Sequence, residues 1–141
     1  MANSQKVAVV GASGVVGRAL VEHLRQSETP VVGLSRRPPV DLADAPFQPL
    51  DLTNAAECKR IAKSTLSDVT HLVYTALFEK PGLISGWQEQ DQMQTNLTML
   101  RNLLGPLTTG SKLRHVTLLQ GTKAYGAHVE PMKIPGLESD P

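Results

Sequence analysis

The sequence has a single cysteine, Cys58, so no internal disulfide can form and no paired-cysteine redox or metal motif exists. That lack points to a reducing compartment, and a cytoplasmic protein is expected. Charge of one sign is lacking too: 14 Lys+Arg stand against 13 Asp+Glu, a formal net charge of +1. No nucleic-acid footprint or acidic tail follows from such a balance, so affinity for an anion must come from a local site. Long hydrophobic runs are also absent. The polar start M-A-N-S-Q-K leads into the run Val7–Val10, too short for a signal-peptide core or a membrane span. His71, His115 and His128 have no metal-ligand spacing among them and His23 falls on the polar side of a helical pattern, so no metal is expected.

What is present is the composition of one globular domain: 141 residues, 40% hydrophobic and 19% charged, without repeats or low-complexity tracts. Val7–Val10 reads as a strand buried on both faces. Val16, Leu20 and Leu24 then recur at helical spacing and predict a helix from Val15 to about Ser27. P-V-V-G-L-S is a second strand, ended by R-R-P-P at 36–39, where the prolines forbid regular structure. F-Q-P-L-D-L is a weaker third strand, and Thr53 and Asn54 are capping residues for a helix over T-N-A-A-E-C-K-R-I-A-K-S-T-L.

V-T-H-L-V-Y-T-A, residues 69–76, is a fourth strand, and P-G-L-I-S-G at 81–86 breaks the chain. Met93, Leu97, Leu100, Leu104 and Leu107 step by threes and fours and predict an amphipathic helix whose end Gly105-Pro106 weakens. L-R-H-V-T-L-L at 113–119 is a fifth strand, and the Gly- and Pro-rich remainder reads as loop. The order β-α-β-β-α-β-α-β argues an α/β fold with a parallel sheet covered by helices, and right-handed crossovers place its five strands as 3-2-1-4-5.

The stretch G-A-S-G-V-V-G, residues 11–17, sits directly between the first strand and the first helix, which is the context that a phosphate-binding loop requires. Gly11 permits the tight turn, Gly14 lets a pyrophosphate approach the backbone, and Gly17 lets the helix pack on the strand. Helix N-terminal amides near Ser13, Val15 and Val16 then face the anion. No G-K-[ST] follows, so a nucleoside-triphosphate loop of the Walker type is excluded. Residues 1–120 are therefore expected to form a dinucleotide-binding domain, with 121–141 a loop leading away from it.

An NAD site carries an acidic residue at the end of the second strand, for the ribose 2'-hydroxyl. Here Ser35-Arg36-Arg37 stands there. An arginine cannot accept from the hydroxyl, but its planar fork suits a 2'-phosphate, so NADP(H) is expected over NAD(H).

The spacing G-x-x-G-x-x-G resembles that of the short-chain dehydrogenase/reductase superfamily, its extended members in particular, whose fold is a Rossmann-type doubly wound sheet. Asp51 and Leu52, in D-L-T, resemble the superfamily's adenine-contacting position, and Asn96 in T-N-L-T-M-L is a further point of likeness. The superfamily's usual Y-x-x-x-K is absent: Phe78 and Val129 stand four residues after Tyr74 and Tyr125. Instead R-H-V-T-L-L-Q-G-T-K-A-Y-G at 114–126, with V-T-H-L-V-Y-T-A-L and G-L-S-R-R-P, resembles the progesterone 5-beta-reductase and iridoid-synthase-like enone reductases over essentially the whole chain.

The resemblance implies that Lys123 is the lysine beside the nicotinamide, and that Gln120, Gly121, Thr75, Ala76 and Leu77 line that end. It implies hydride delivery to the β-carbon of an α,β-unsaturated carbonyl, a small-molecule substrate, with the enolate stabilised by a tyrosine hydroxyl. That tyrosine, the later strands and the substrate lobe would follow Pro141, so the five-stranded sheet is a truncated version of the family fold, catalytically incomplete. An uncovered fifth strand exposes an edge, and a fragment or a homodimer through that edge is expected. Two rival readings stand beside this one. One is a nucleotide-sugar epimerase or dehydratase with its Y-x-x-x-K beyond residue 141; the other is a non-catalytic NADP-sensing module.

Overall fold

The computed structural model describes residues 5–42, 44–82, 89–126 and 130–139, apart from the side chains of Thr122 and Lys123. The strands are β1 (Val7–Val10), β2 (Val31–Ser35), β3 (Phe47–Pro49), β4 (His71–Tyr74) and β5 (His115–Leu118). The helices are α1 (Val15–Gln26), α2 (Ala55–Lys63) and α3 (Gln90–Gly110), and a short 3-10 turn, Thr122–Tyr125, interrupts the expected loop. All neighbouring strands are parallel, in the order β3-β2-β1-β4-β5 that the connections require.

β1 is buried along its length because both faces of the sheet are covered. Val7 and Val9 join Val21, Val31 and partly buried Leu20 and Leu24 on the α1 side. Ala8 and Val10 join Leu34, Leu72, Ile61, Leu103 and others on the α2 and α3 side. The chain builds outward from β1 through β2 to β3, then returns to add β4 and β5 on the other flank. The switch point between β1 and β4 leaves a crevice at their carboxyl ends.

Several sequence expectations shift. The third strand stops at Pro49 instead of reaching Leu52, because Asp51 begins a local turn in which its Oδ1 accepts from the Thr53 amide at 2.9 Å and hydroxyl at 2.7 Å. Thr53 is thereby occupied, and Asn54 alone caps α2, its Oδ1 accepting from the Glu57 amide at 3.1 Å. Val16, expected on the apolar face of α1, is 52% exposed, and the buried face begins at Gly17 and Val21.

α3 is rotated from its expected facing. Of the expected residues Leu107 is buried and Leu100 and Leu104 pack partly on the core, but Met93 and Leu97 stay exposed and Met99 and Leu103 are buried in their place, because α3 lies against α2 as well as the sheet. It also runs through Gly105-Pro106 to Gly110. β5 has all four residues exposed and only β4 as a partner among the described residues. The break expected at 81–86 falls, beyond Gly82, outside the described residues, as do His128 and Pro141. No helix among the described residues is long and apolar enough to cross a membrane.

Candidate functional site

Two constraints fix the glycine loop at the end of β1. Gly11 has φ +90°, and a Cβ there would lie 2.7 Å from Thr75 Oγ1 and 2.8 Å from the Ala76 amide nitrogen. A Cβ on Gly17 would lie 2.2 Å from the Gly11 carbonyl oxygen, so only glycine lets α1 start this close to β1. Gly14 differs: its φ is −78°, and its Cβ would meet only the Gly11 oxygen, at 3.3 Å. The loop itself needs glycine less there than at its two ends.

Gly14 is the N-cap of α1 and brings no side-chain acceptor, and the first turn holds no acidic residue. The Gly14 amide donates to the Gly11 oxygen at 2.9 Å, and the Ala12 amide to the Leu34 oxygen at 3.1 Å. The amides of Ser13, Val15, Val16 and Gly17 find no acceptor among the described residues. Val15 is 89% exposed, so this end of α1 is open. It is a set of unsatisfied donors at the positive end of a helix.

At the end of β2, the Ser35 hydroxyl donates to the Arg37 carbonyl at 2.6 Å and turns the chain. Arg36 and Arg37 are exposed and form no ion pair among the described residues. Asp51 lies close enough to Arg36 to feel its charge: its carboxyl is held below the usual value, first by the Thr53 amide and hydroxyl and in smaller part by Arg36. Leu52 is buried, and its carbonyl accepts from the Asn102 side-chain amide at 2.9 Å. The loop after the arginines is tied down by Arg18 of α1, which grips both oxygens of Asp41, with Nε to Oδ1 at 2.7 Å.

At the end of β4, the Thr75 hydroxyl donates to the Val10 carbonyl at 2.8 Å and so locks the two strand ends together across the switch point. The segment that follows is clamped to α3. Asn96 accepts from the Phe78 amide and donates to the Phe78 carbonyl, both at 2.8 Å, while buried Gln92 accepts from the Lys80 amide at 2.8 Å. Lys80 is paired with Glu89 and Asp91. Ala76 and Leu77 are thereby held beside Gln120, and with Tyr74, Leu97 and Leu118 they line a largely apolar cleft of about 200 Å³.

Tyr74 itself belongs to the core, 4% exposed, and burial pushes its phenol up to about 12. Its hydroxyl meets no partner among the described residues. Gln120 and Gly121 follow β5 at the same sheet edge, and the Gly121 carbonyl accepts from the Ala124 amide at 2.9 Å. Lys123 lies by its backbone in the turn Thr122–Tyr125; its side chain is outside the described residues.

The sheet edge thus gathers Gly11–Gly17, Ser35–Arg37, Asp51, Thr75–Leu77, Gln120 and Gly121 around one crevice. Sequence reasoning passed over Gln92, Lys80 and Asn102, which hold the crevice's backbone in place. Gln92 and Asn96 stand one helical turn apart, and that pairing of amides was the available signal. The described residues hold no group of three or more His, Cys, Asp or Glu placed for a metal.

Sheet order, switch point and glycine loop define a Rossmann-like α/β protein. The chain matches, over residues 7–141, the model of the NAD dependent epimerase/dehydratase family, and it belongs to that family. It is 35% identical to the (S)-8-oxocitronellyl enol synthase of Catharanthus roseus, a match covering 94% of this chain and 35% of that protein. It is 36% identical to the 3-oxo-Delta(4,5)-steroid 5-beta-reductase of Arabidopsis thaliana, covering 83% of this chain and 31% of that one. The resemblance carried by L-Q-G-T-K-A-Y-G is therefore borne out at the level of relatives.

Among solved structures, a short-chain dehydrogenase/reductase superfamily protein from Agrobacterium tumefaciens with bound NAD matches with a TM-score of 0.75 and 21% identity, over 97% of this chain and 38% of that one. The UDP-N-acetylglucosamine 4-epimerase of Bacillus cereus matches with a TM-score of 0.67 and 20% identity, over 96% and 44%. At such identities the likeness is one of fold. The chain spans about a third of the length of the curated relatives named above.

Proposed function

We propose that this chain is the NADP(H)-binding portion of an oxidoreductase that reduces the activated C=C of a small α,β-unsaturated carbonyl compound. The observation that carries the reading is the pair Arg36 and Arg37, exposed and unpaired among the described residues where an NAD site would place a carboxylate. Asp51, held mainly by Thr53 and touched only in small part by the charge of Arg36, pairs with neither cation.

The residues present fit a dinucleotide. A side chain at Gly14 would project into the open side of the loop, and the free amides of Ser13, Val15, Val16 and Gly17 supply donors for a pyrophosphate. Ser35, Arg36 and Arg37 would take the 2'-phosphate, Asp51 and Leu52 the adenine end, and Thr75, Ala76, Leu77, Gln120 and Gly121 the nicotinamide end. When bound, the cofactor supplies the hydride. Leu97 and Leu118 give that end apolar walls, and Lys123 is the cation that the family resemblance assigns there.

Of this chain's tyrosines, Tyr74 is buried in the core and Tyr125 lies on the same turn as Lys123, and we take the acid or oxyanion partner to be the later tyrosine that the family resemblance implies. Residues 1–120 then act as the binding domain and 121–141 as the lead into the remainder of a catalytic unit. We place the protein in the cytoplasm, with no nucleic-acid or membrane partner.

Titration of NADPH and NADH into the double variant Arg36→Ala/Arg37→Ala tests the assignment. NADPH affinity should fall about tenfold to a hundredfold, roughly 1.4–3 kcal/mol for lost charge-assisted bonds, while NADH affinity stays within about twofold. An equal fall for both, or none for either, overturns it.

A further inference from the structure

Between α2 and α3 lies an open groove of about 410 Å³, which shares with the cofactor crevice only Asn102, whose side chain reaches away to Leu52. One wall carries Lys59 and Lys63 on successive turns of α2; the other is formed by Arg101, Asn102, Gly105 and Pro106 of α3. Lys59, Lys63 and Arg101 are exposed, make no ion pair among the described residues, and share the groove with no carboxylate. In a chain with a net charge of only +1 this is a local concentration of positive charge.

The floor of the groove is unusual for a helix interior. Glycine and proline cost about 1 and about 3 kcal/mol there relative to alanine. Yet a Cβ on Gly105 would meet nothing within 4 Å, so packing inside the chain does not call for glycine. Pro106 brings no N–H, which leaves the Asn102 carbonyl without its donor from the next turn. The Asn102 side chain is already committed to Leu52 and cannot fill the space. The result is bare helix backbone with an acceptor, flanked by cations.

We propose that this groove binds an extended acidic peptide segment of a partner protein. Lys59 and Lys63 rise about 6 Å along α2. Carboxylates on alternate residues of an extended strand lie about 6.6–6.8 Å apart on one side, a close match. The strand also brings amide donors for the Asn102 carbonyl, which a compact phosphate group lacks. Gly105 allows the peptide backbone to lie directly against the helix. The proposal is independent of the cofactor reading, since none of the side chains it calls on contacts the dinucleotide in that reading.

Fluorescence anisotropy with a labelled peptide of alternating Glu and Ala, at low ionic strength, tests it. The protein should bind saturably, and the same peptide with Gln for Glu should not bind. Lys59→Ala/Lys63→Ala should weaken binding about tenfold or more, and Gly105→Leu should do the same while keeping every charge. Circular dichroism checks that α3 is intact in the Gly105 variant; if it is not, the surface lysine pair decides alone. The idea is overturned by an absence of saturable binding up to about 1 mM peptide, by unchanged affinity in the lysine variant, or by displacement of the peptide by millimolar inorganic phosphate, which would mark a general anion site.

Discussion

The two walls of the crevice are held in different ways. The wall made by β1, β2 and α1 is set by backbone contacts so close that Gly17 admits no side chain, and Gly11 packs just as tightly on Thr75 and Ala76 where the other wall begins. The wall made by β4, α3 and the segment after Tyr74 is set by side-chain amides reaching to backbone, Asn96 to Phe78 and Gln92 to Lys80, while Asn102 ties α3 across to Leu52 beyond β3. Beyond it, β5 is exposed along its length. A backbone-packed wall has one arrangement or none. A wall hung on a few hydrogen bonds can shift when one is lost, so the dinucleotide-anchoring side is rigid and the side nearest the proposed chemistry is adjustable.

The sharpest way to break that contrast is at the glycines. Gly17→Ala forces a backbone oxygen away from a new Cβ built 2.2 Å from it, and should destabilise the protein by about 3 kcal/mol or more. Thermal unfolding should show a large fall in Tm together with loss of nucleotide binding. Gly14→Ala meets the same oxygen at 3.3 Å and should leave Tm within a few degrees, while dinucleotide affinity falls about tenfold. If both variants lost stability alike, the loop would be a packing device and the ligand role of Gly14 would fail.

The second wall responds less. Asn96→Ala removes two 2.8 Å bonds to the Phe78 backbone and should cost about 1–2 kcal/mol. Hydrogen exchange should accelerate at the amides of Phe78 and Lys80 and stay unchanged at Gly14 and Arg18. Asn96→Asp keeps the acceptor for the Phe78 amide but loses the donor, so its effect should lie between those of wild type and Ala. Faster exchange on both sides of the crevice in Asn96→Ala would mean that the walls are one cooperative unit.

The difference between the walls also decides what could be read in the sequence. Val7–Val10 is apolar at every position because both faces are buried, and the order of elements left a single sheet topology consistent with right-handed crossovers. Glycines needed for close backbone approach stand in a fixed spacing, and so were visible as well. The facing of α3 was not. Its apolar residues fill two adjacent rows, Met93-Leu97-Leu100-Leu104 and Met99-Leu103, that converge on Leu107, and only the position of α2 selects between them. An asparagine that clamps a loop has the same letter as one facing water, so Asn96 stood out only through the family resemblance and Asn102 not at all. Thr75 is a mixed case: it stands where expected, yet its hydroxyl is spent on the Val10 carbonyl.

The smallest expected effect is the response to acid. Asp41 on the first wall is held below its ordinary value chiefly by the Arg18 guanidinium, and Asp91 on the second chiefly by the Lys80 ammonium; Asp51 is held low mainly by Thr53. A carboxyl lowered in the folded state stabilises fully above its unfolded value, near 4, and that contribution drains away as pH falls through the folded value. Because these groups are exposed to solvent and salt, the loss between pH 4 and more acidic conditions should be slight and should shrink as ionic strength rises. Carboxyl titration by nuclear magnetic resonance resolves the walls separately. In Lys80→Ala, Asp91 should return toward its ordinary value while Asp41 and Asp51 keep theirs; movement of all three together would show that the acid response belongs to the whole sheet edge, not to either wall.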